Sequence, residues 1–188
     1  RNKIIPIREI RFAAKTGFLS KSLWHEFYTT RSRSRNCRLW KRFIADEWFR
    51  PHDSKMLPDV LVLGRSAIAE LQRLGISGVT KPHLGQFDHD EKAARIILNL
   101  ERAEVIEGYS TEAELKRKFM VWLKTTRDGR DAKFPDLTVS LKSPSRFQRV
   151  AIEIEQSMKN FERYKKVMNS YAAAKDIDAV IFVSNQQT

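Results

Sequence analysis

The chain has one cysteine, Cys37, among its 188 residues, which excludes an internal disulfide and any cysteine-based zinc site. A cytoplasmic location is the expectation that goes with such sparse cysteine. There is no apolar run of membrane-spanning length and no secretory leader, so a membrane is not an expected partner. The four histidines are scattered, without the spacing of metal ligands. Internal repeats and low-complexity segments are absent. Acid is the scarcer charge: 23 Asp and Glu stand against 35 Lys and Arg, a net charge of +12. The imbalance is concentrated, with residues 1–56 at +9 and the remainder at +3. Nucleic acid is the natural partner of such a basic N-terminal part. The length suits one ordinary domain or two small ones. The chain opens on Arg1 rather than Met and closes just after an apolar run, so a fragment or processed chain is expected.

Residues 4–76 read as three helices and a wing. The first helix, Ile7–Thr16, turns Ile10, Ala13 and Ala14 inward and ends at Gly17, a C-cap residue. Ser20 caps a second helix, Lys21–Tyr28, carrying Leu23, Trp24 and Phe27. A third opens near Ser32 or Ser34 and runs to about Glu47, with Leu39, Trp40, Phe43 and Ile44 as its apolar side. Its other side offers Arg35, Asn36, Arg38 and Arg42, with Arg31 and Arg33 just before it. One buried stripe opposite a basic polar one is the pattern of a recognition helix. Arginine can grip guanine edges bidentately and asparagine can grip adenine, while Arg31, Arg33 and Lys41 are placed to hold phosphates. The predicted strand Val60–Leu63, then Gly64 and a helix at Ala67–Leu74, complete what looks like a winged helix.

The segment Phe134–Ser157 carries a second kind of chemistry. In Asp136–Leu141 the alternation puts Asp136, Thr138 and Ser140 on one face; in Val150–Glu155 it puts Ala151, Glu153 and Glu155 on one face. Lys142–Arg149, polar and containing Pro144, reads as the connecting loop. A symmetric closure pairs Asp136 with Glu155 and Thr138 with Glu153, gathering three carboxylates. A one-residue slip would undo this. Three clustered acids call for cations, and Mg²⁺ (or Mn²⁺), hard and oxygen-seeking, suits Asp136, Glu153 and Glu155 as metal ligands. The plain alternative is a strand-capping Asp136 and two solvated glutamates.

These residues resemble the PD-(D/E)xK nuclease superfamily, with Pro135-Asp136 and Glu153 in place and Glu155 standing where the lysine usually is. The resemblance implies a catalytic set of Asp136, Glu153, Glu155, Gln156 and Lys159, the last as a migrated lysine. Glu91 stands where some members carry a fourth acid, though a surface helix glutamate is the favoured reading of it. The flanks fit the superfamily's αβββαβ core: a helix at Phe87–Leu100, a short strand at Phe119–Lys124, a charged turn at Arg127–Lys133, a helix at Ser157–Lys175 and a strand at Asp178–Ser184. The apolar stripe of the later helix is read as Phe161, Tyr164, Met168, Tyr171 and Ala172. Lys159, Arg163, Lys165 and Lys166 either line a DNA groove or form a solvated face, and His89 is read as a cap or packing residue.

Taken together, VLVLGRSAIAELQRLG, FDHDEKAARIILNL and VAIEIEQSMKNFERYKKVMNSY are similar to the replication-relaxation family of plasmid and mobile-element proteins. The expected fold is α+β or α/β: a winged helix-turn-helix at 1–80, a linker at 81–86, and a restriction-endonuclease-like core at 87–188. The implied partner is double-stranded DNA; a homodimer and replication or transfer proteins stay open as further partners. Two functions follow: a Mg²⁺-dependent DNA endonuclease in replication or conjugative transfer, or a catalytically degenerate DNA-binding factor acting at an origin. A transcription regulator, resting on the winged helix alone, is a third.

Overall fold

The computed structural model describes residues 5–123, 134–142, 148–157, 160–172, 174 and 176–184. The architecture is mixed α and β, with seven α-helices and two sheets among the described residues. The chain divides into two compact units, residues 1–94 and 95–188.

The first unit holds α1 (Ile7–Thr16), β1 (Leu19–Ser20), α2 (Lys21–Phe27), α3 (Arg33–Ala45), β2 (Phe49–Pro51), β3 (Val60–Leu63) and α4 (Arg65–Arg73). Its strands form an antiparallel sheet in the order β1-β3-β2. Local chemistry sets these boundaries. Gly17 ends α1 in the left-handed region (φ 94°), and its N–H donates to Ala13 O. Ser20 and Ser32 accept hydrogen bonds from the Leu23 and Arg35 amides, capping α2 and α3. Gly64 opens α4 because nothing larger fits: a Cβ there would lie 2.1 Å from Glu47 O. The core is aromatic. Trp24 is buried and meets Trp40, Phe43 and Tyr28 edge-on, at centroid distances of 5.3, 5.5 and 4.7 Å. Residues 81–83 are irregular and Leu84–Gln86 form a single 3-10 turn. They lead into α5 (Phe87–Arg102), within which the boundary between the units falls. Glu91 of α5 accepts hydrogen bonds from the hydroxyls of Ser20 and Ser22.

The second unit continues with β4 (Ile106–Thr111), α6 (Glu112–Leu123), β5 (Leu137–Leu141), β6 (Arg149–Glu155), α7 (Phe161–Ala172) and β7 (Ala179–Ser184). The sheet order is β4-β5-β6-β7, antiparallel except for the parallel β6–β7 pair. The strand expected at Phe119–Lys124 is instead the last part of α6 as far as Leu123. A reciprocal capping box explains this: Thr111 N–H donates to Glu114 Oε2 (3.1 Å), and Glu114 N–H donates to Thr111 Oγ1 (3.4 Å). The first strand of the sheet lies earlier, at Ile106–Thr111, where Gly108 and a register irregularity break the alternation. On α7 the inward side chains are Val167 and Tyr171, with Tyr164 edge-on to Phe182 at 5.7 Å. Phe161 and Met168, expected in that stripe, are exposed. The residues 124–133, 143–147, 158–159, 173, 175 and 185–188, which include Lys159, the whole of the expected charged turn and most of the expected loop, lie outside the described residues.

Candidate functional site

The residues singled out from the sequence fall in two groups of side chains, one in each unit.

The first lies on α3. Arg35, Arg38 and Arg42 recur at intervals of three and four residues on one face of α3, and with Leu39 and Arg31, which stands just before the helix, they line one surface groove. Arg31, Arg33, Arg35, Arg38, Lys41 and Arg42 are all exposed. Arg31 is held over the ring of Tyr28, its guanidinium carbon 4.6 Å from the centroid. Tyr28 is fixed in turn: its hydroxyl donates to the buried Glu9 carboxylate. Burial first, and then that hydrogen bond, push its phenol well above the usual tyrosine range. Arg42 pairs with Asp46 at 3.5 Å. Among the described residues no carboxylate pairs with Arg31, Arg33, Arg35, Arg38 or Lys41. The face therefore presents concentrated positive charge with hydrogen-bond donors turned to solvent.

Asn36 does not belong to that face. It is buried, and its Nδ2 donates to Tyr28 O at 3.2 Å, while Trp24 Nε1 donates to Asn36 O at 3.1 Å. It ties the end of α2 to α3, and a base edge cannot reach it. Leu39 is also displaced from its expected place in the core, since it lines the arginine groove and is half-buried.

The second group lies at one end of the four-stranded sheet. β5 and β6 pair as Leu137↔Ile152, Thr138↔Ala151 and Val139↔Val150, so Thr138 faces Ala151 rather than Glu153. One step further along this register sets Asp136 across from Glu153 instead of Glu155. The shift from the symmetric closure is two residues, an even number, so it preserves faces, and Asp136, Glu153 and Glu155 remain on one side of the sheet. That side is covered by α7: Ala151 packs with Val167 and Tyr171, and Val180 and Phe182 join them. Glu153 and Glu155 are buried.

The Tyr171 hydroxyl donates to Glu153 Oε1. One oxygen of Asp136 accepts the Ile154 N–H at 2.6 Å. Burial pushes the Tyr171 phenol far above its ordinary range, and the negative charges of Glu153, Asp136 and Glu112 add to this. Glu112 thus joins the neighbourhood, which the sequence reading missed. Its backbone N–H donates to Asp136 O at 3.0 Å, and its carboxylate holds Lys116 Nζ at 2.6 Å. The signal was there in the residues: Thr111-Glu112-Ala113-Glu114 is a capping-box pattern that puts Glu112 at the first position of a helix. Glu91, by contrast, is engaged by Ser20 and Ser22 in the first unit. Gln156 is exposed at the end of β6, as are Arg163, Lys165 and Lys166 on α7. His89 Nδ1 lies 3.4 Å from Asp90 Oδ1. Among the described residues, no three His, Cys, Asp or Glu side chains are gathered so as to hold a metal ion. Nor is any helix among them long and apolar enough to cross a membrane.

Comparison of the chain with protein-family models, with curated proteins and with solved structures gives no match.

Proposed function

We propose that this chain is a DNA-binding protein whose first unit works as a winged helix-turn-helix, with α3 as the recognition helix. The observation that carries the reading is the single groove lined by Arg31, Arg35, Arg38 and Arg42. Arg35, Arg38 and Arg42 on one face of α3, with Arg31 just before the helix, offer donors of the kind that grip phosphates and guanine edges, and a major groove admits a helix. Arg31, braced by Tyr28, is a phosphate-positioning group. Arg33 and Lys41 add to the electrostatic footprint. The short antiparallel sheet β1-β3-β2 supplies the wing. The kind of protein this describes is the one the replication-relaxation resemblance implies, acting in replication or transfer of a plasmid or mobile element. Electrophoretic mobility shift with random-sequence duplex tests it. Retardation that weakens steeply with salt is the expected result; no retardation at low salt by folded protein contradicts it.

A second reading, a metal-dependent endonuclease, is favoured by the placement of Asp136 and Glu153 on one face at one end of the sheet. Magnesium is commonly held by one or two carboxylates together with waters and the substrate's own phosphates, so this pair is chemically adequate without a preassembled cage of three acids. Asp136 and Glu153 would hold the ion, and Glu155 would join them. A divalent cation there would lower the pKa of a water and offset charge on the leaving oxygen. In this reading the chain's own residues orient the donors: the Ile154 amide fixes one oxygen of Asp136, and Tyr171 fixes one oxygen of Glu153. Supercoiled plasmid incubated with Mg²⁺ or Mn²⁺ separates the readings. Nicking by the wild type that is lost in EDTA and in Asp136→Ala/Glu153→Ala supports the endonuclease. Binding without nicking leaves a DNA-binding factor on a degenerate nuclease-type unit.

A further inference from the structure

Leu39 is the one apolar side chain in a groove otherwise lined by Arg31, Arg35, Arg38 and Arg42. It is half-buried, so part of it remains open to the groove. The inward positions of α3 are filled by others: Asn36 bonds Tyr28, Trp40 stands edge-on to Trp24, and Phe43 is buried against Trp24. Leu39 follows Asn36 by three residues and precedes Arg42 by three. That places it where the core-facing side of the helix turns into the arginine face.

The chemistry of such a groove is incomplete without an apolar element. Arginines donate hydrogen bonds to phosphates and to acceptors on base edges, but such bonds do not read the C5-methyl group that distinguishes thymine in the major groove. An apolar side chain among the guanidiniums supplies that means, because covering the methyl removes both groups from water. Resting on the DNA-binding reading above, we propose that Leu39 is a specificity-determining residue that contacts the C5-methyl of a thymine in the bound duplex. The arginines on either side hold the backbone and neighbouring guanines, and Leu39 fixes one position of the site as thymine.

The test uses the full chain. A preferred duplex is selected from a random pool, and each of its thymines is replaced in turn by deoxyuridine, which lacks only the methyl. The expected result is a loss of about fourfold in affinity at one thymine, the worth of one methyl-sized group taken out of water, and little change at the others. Leu39→Ala binds the thymine and deoxyuridine duplexes equally, and Leu39→Met, which keeps the apolar reach, retains the preference. Indifference of the wild type to every replacement overturns the inference while leaving DNA binding intact, and this result needs no variant. An unchanged thymine preference in Leu39→Ala also overturns it. Retardation of random duplex with no preferred sequence selected overturns the inference alone, whereas failure to retard any duplex removes the DNA-binding reading and the inference with it.

Discussion

Tyr171 is where the second unit's chemistry and its stability meet. Its hydroxyl donates to a glutamate that is 3% exposed, and a buried carboxylate that loses such a partner keeps its full cost of desolvation. Tyr171→Phe is therefore expected to lower unfolding free energy by about 1–3 kcal/mol in urea titration, with a smaller loss when Glu153→Gln is already present. A second residue gives a pH signature. The N–H groups of Arg149 and Gln148 hold the exposed Asp178 carboxyl below the usual aspartate range, each at 2.8 Å. A carboxyl whose pKa falls on folding stabilises the protein above its unfolded pKa, about 4, and this contribution disappears as pH falls through the lower folded value. The Tm difference between wild type and Asp178→Asn should thus be full near neutrality and close in acid; a difference that persists unchanged in acid would contradict the assignment. Among single residues, the sequence pointed to the arginines and to the acids of β6, because charge on an exposed helix face and period-two alternation are local signals. It misplaced Asn36, whose polarity suggested solvent but which is buried, with its amide donating to the Tyr28 carbonyl. It could not foresee the Tyr171–Glu153 bond, which depends on how α7 lies over the sheet.

Elements were legible where capping chemistry and periodicity agreed. Gly17, Ser20 and Ser32 mark the ends of the first helices, and the structure uses all three. The apolar run at 119–123 was read as a strand because a short apolar stretch has no period of its own. The cap at Thr111 outweighs it by starting a helix that carries through. Thr111→Ala is accordingly expected to cost about 1 kcal/mol and to reduce helical signal in circular dichroism. β4 went unread because Gly108 interrupts a polar stretch with little alternation. The β5–β6 register was two residues off the symmetric guess, since residues 143–147 do not announce how the loop shares itself between strands. The acids nonetheless stayed on the predicted face, as any even shift requires. Gly64 governs how α4 begins. With Glu47 O 2.1 Å from where a Cβ would stand, Gly64→Ala must push apart the entry to α4 and the turn after α3. A loss of about 1–3 kcal/mol in thermal or urea unfolding is expected; wild-type stability would show that the approach is not close.

For the whole molecule, charge is the governing quantity. The net +12 is not spread evenly, and one groove along α3 and the turn before it gathers Arg31, Arg35 and Arg38, which have no carboxylate partner among the described residues. Arginines so placed repel one another, and an anionic ligand relieves that repulsion while releasing counterions. The most direct measurement is the affinity for a duplex as a function of salt, for wild type and for a variant with Arg31, Arg35, Arg38 and Arg42 all changed to glutamine. Each arginine–phosphate ion pair removed should reduce the log–log slope by about one. A steep wild-type slope that falls by about three to four in the variant is the expected result, with folding retained because all four side chains are exposed. A variant that binds with the wild-type slope, or a folded wild type that binds no duplex at low salt, would contradict the assignment of α3 as a DNA-binding helix.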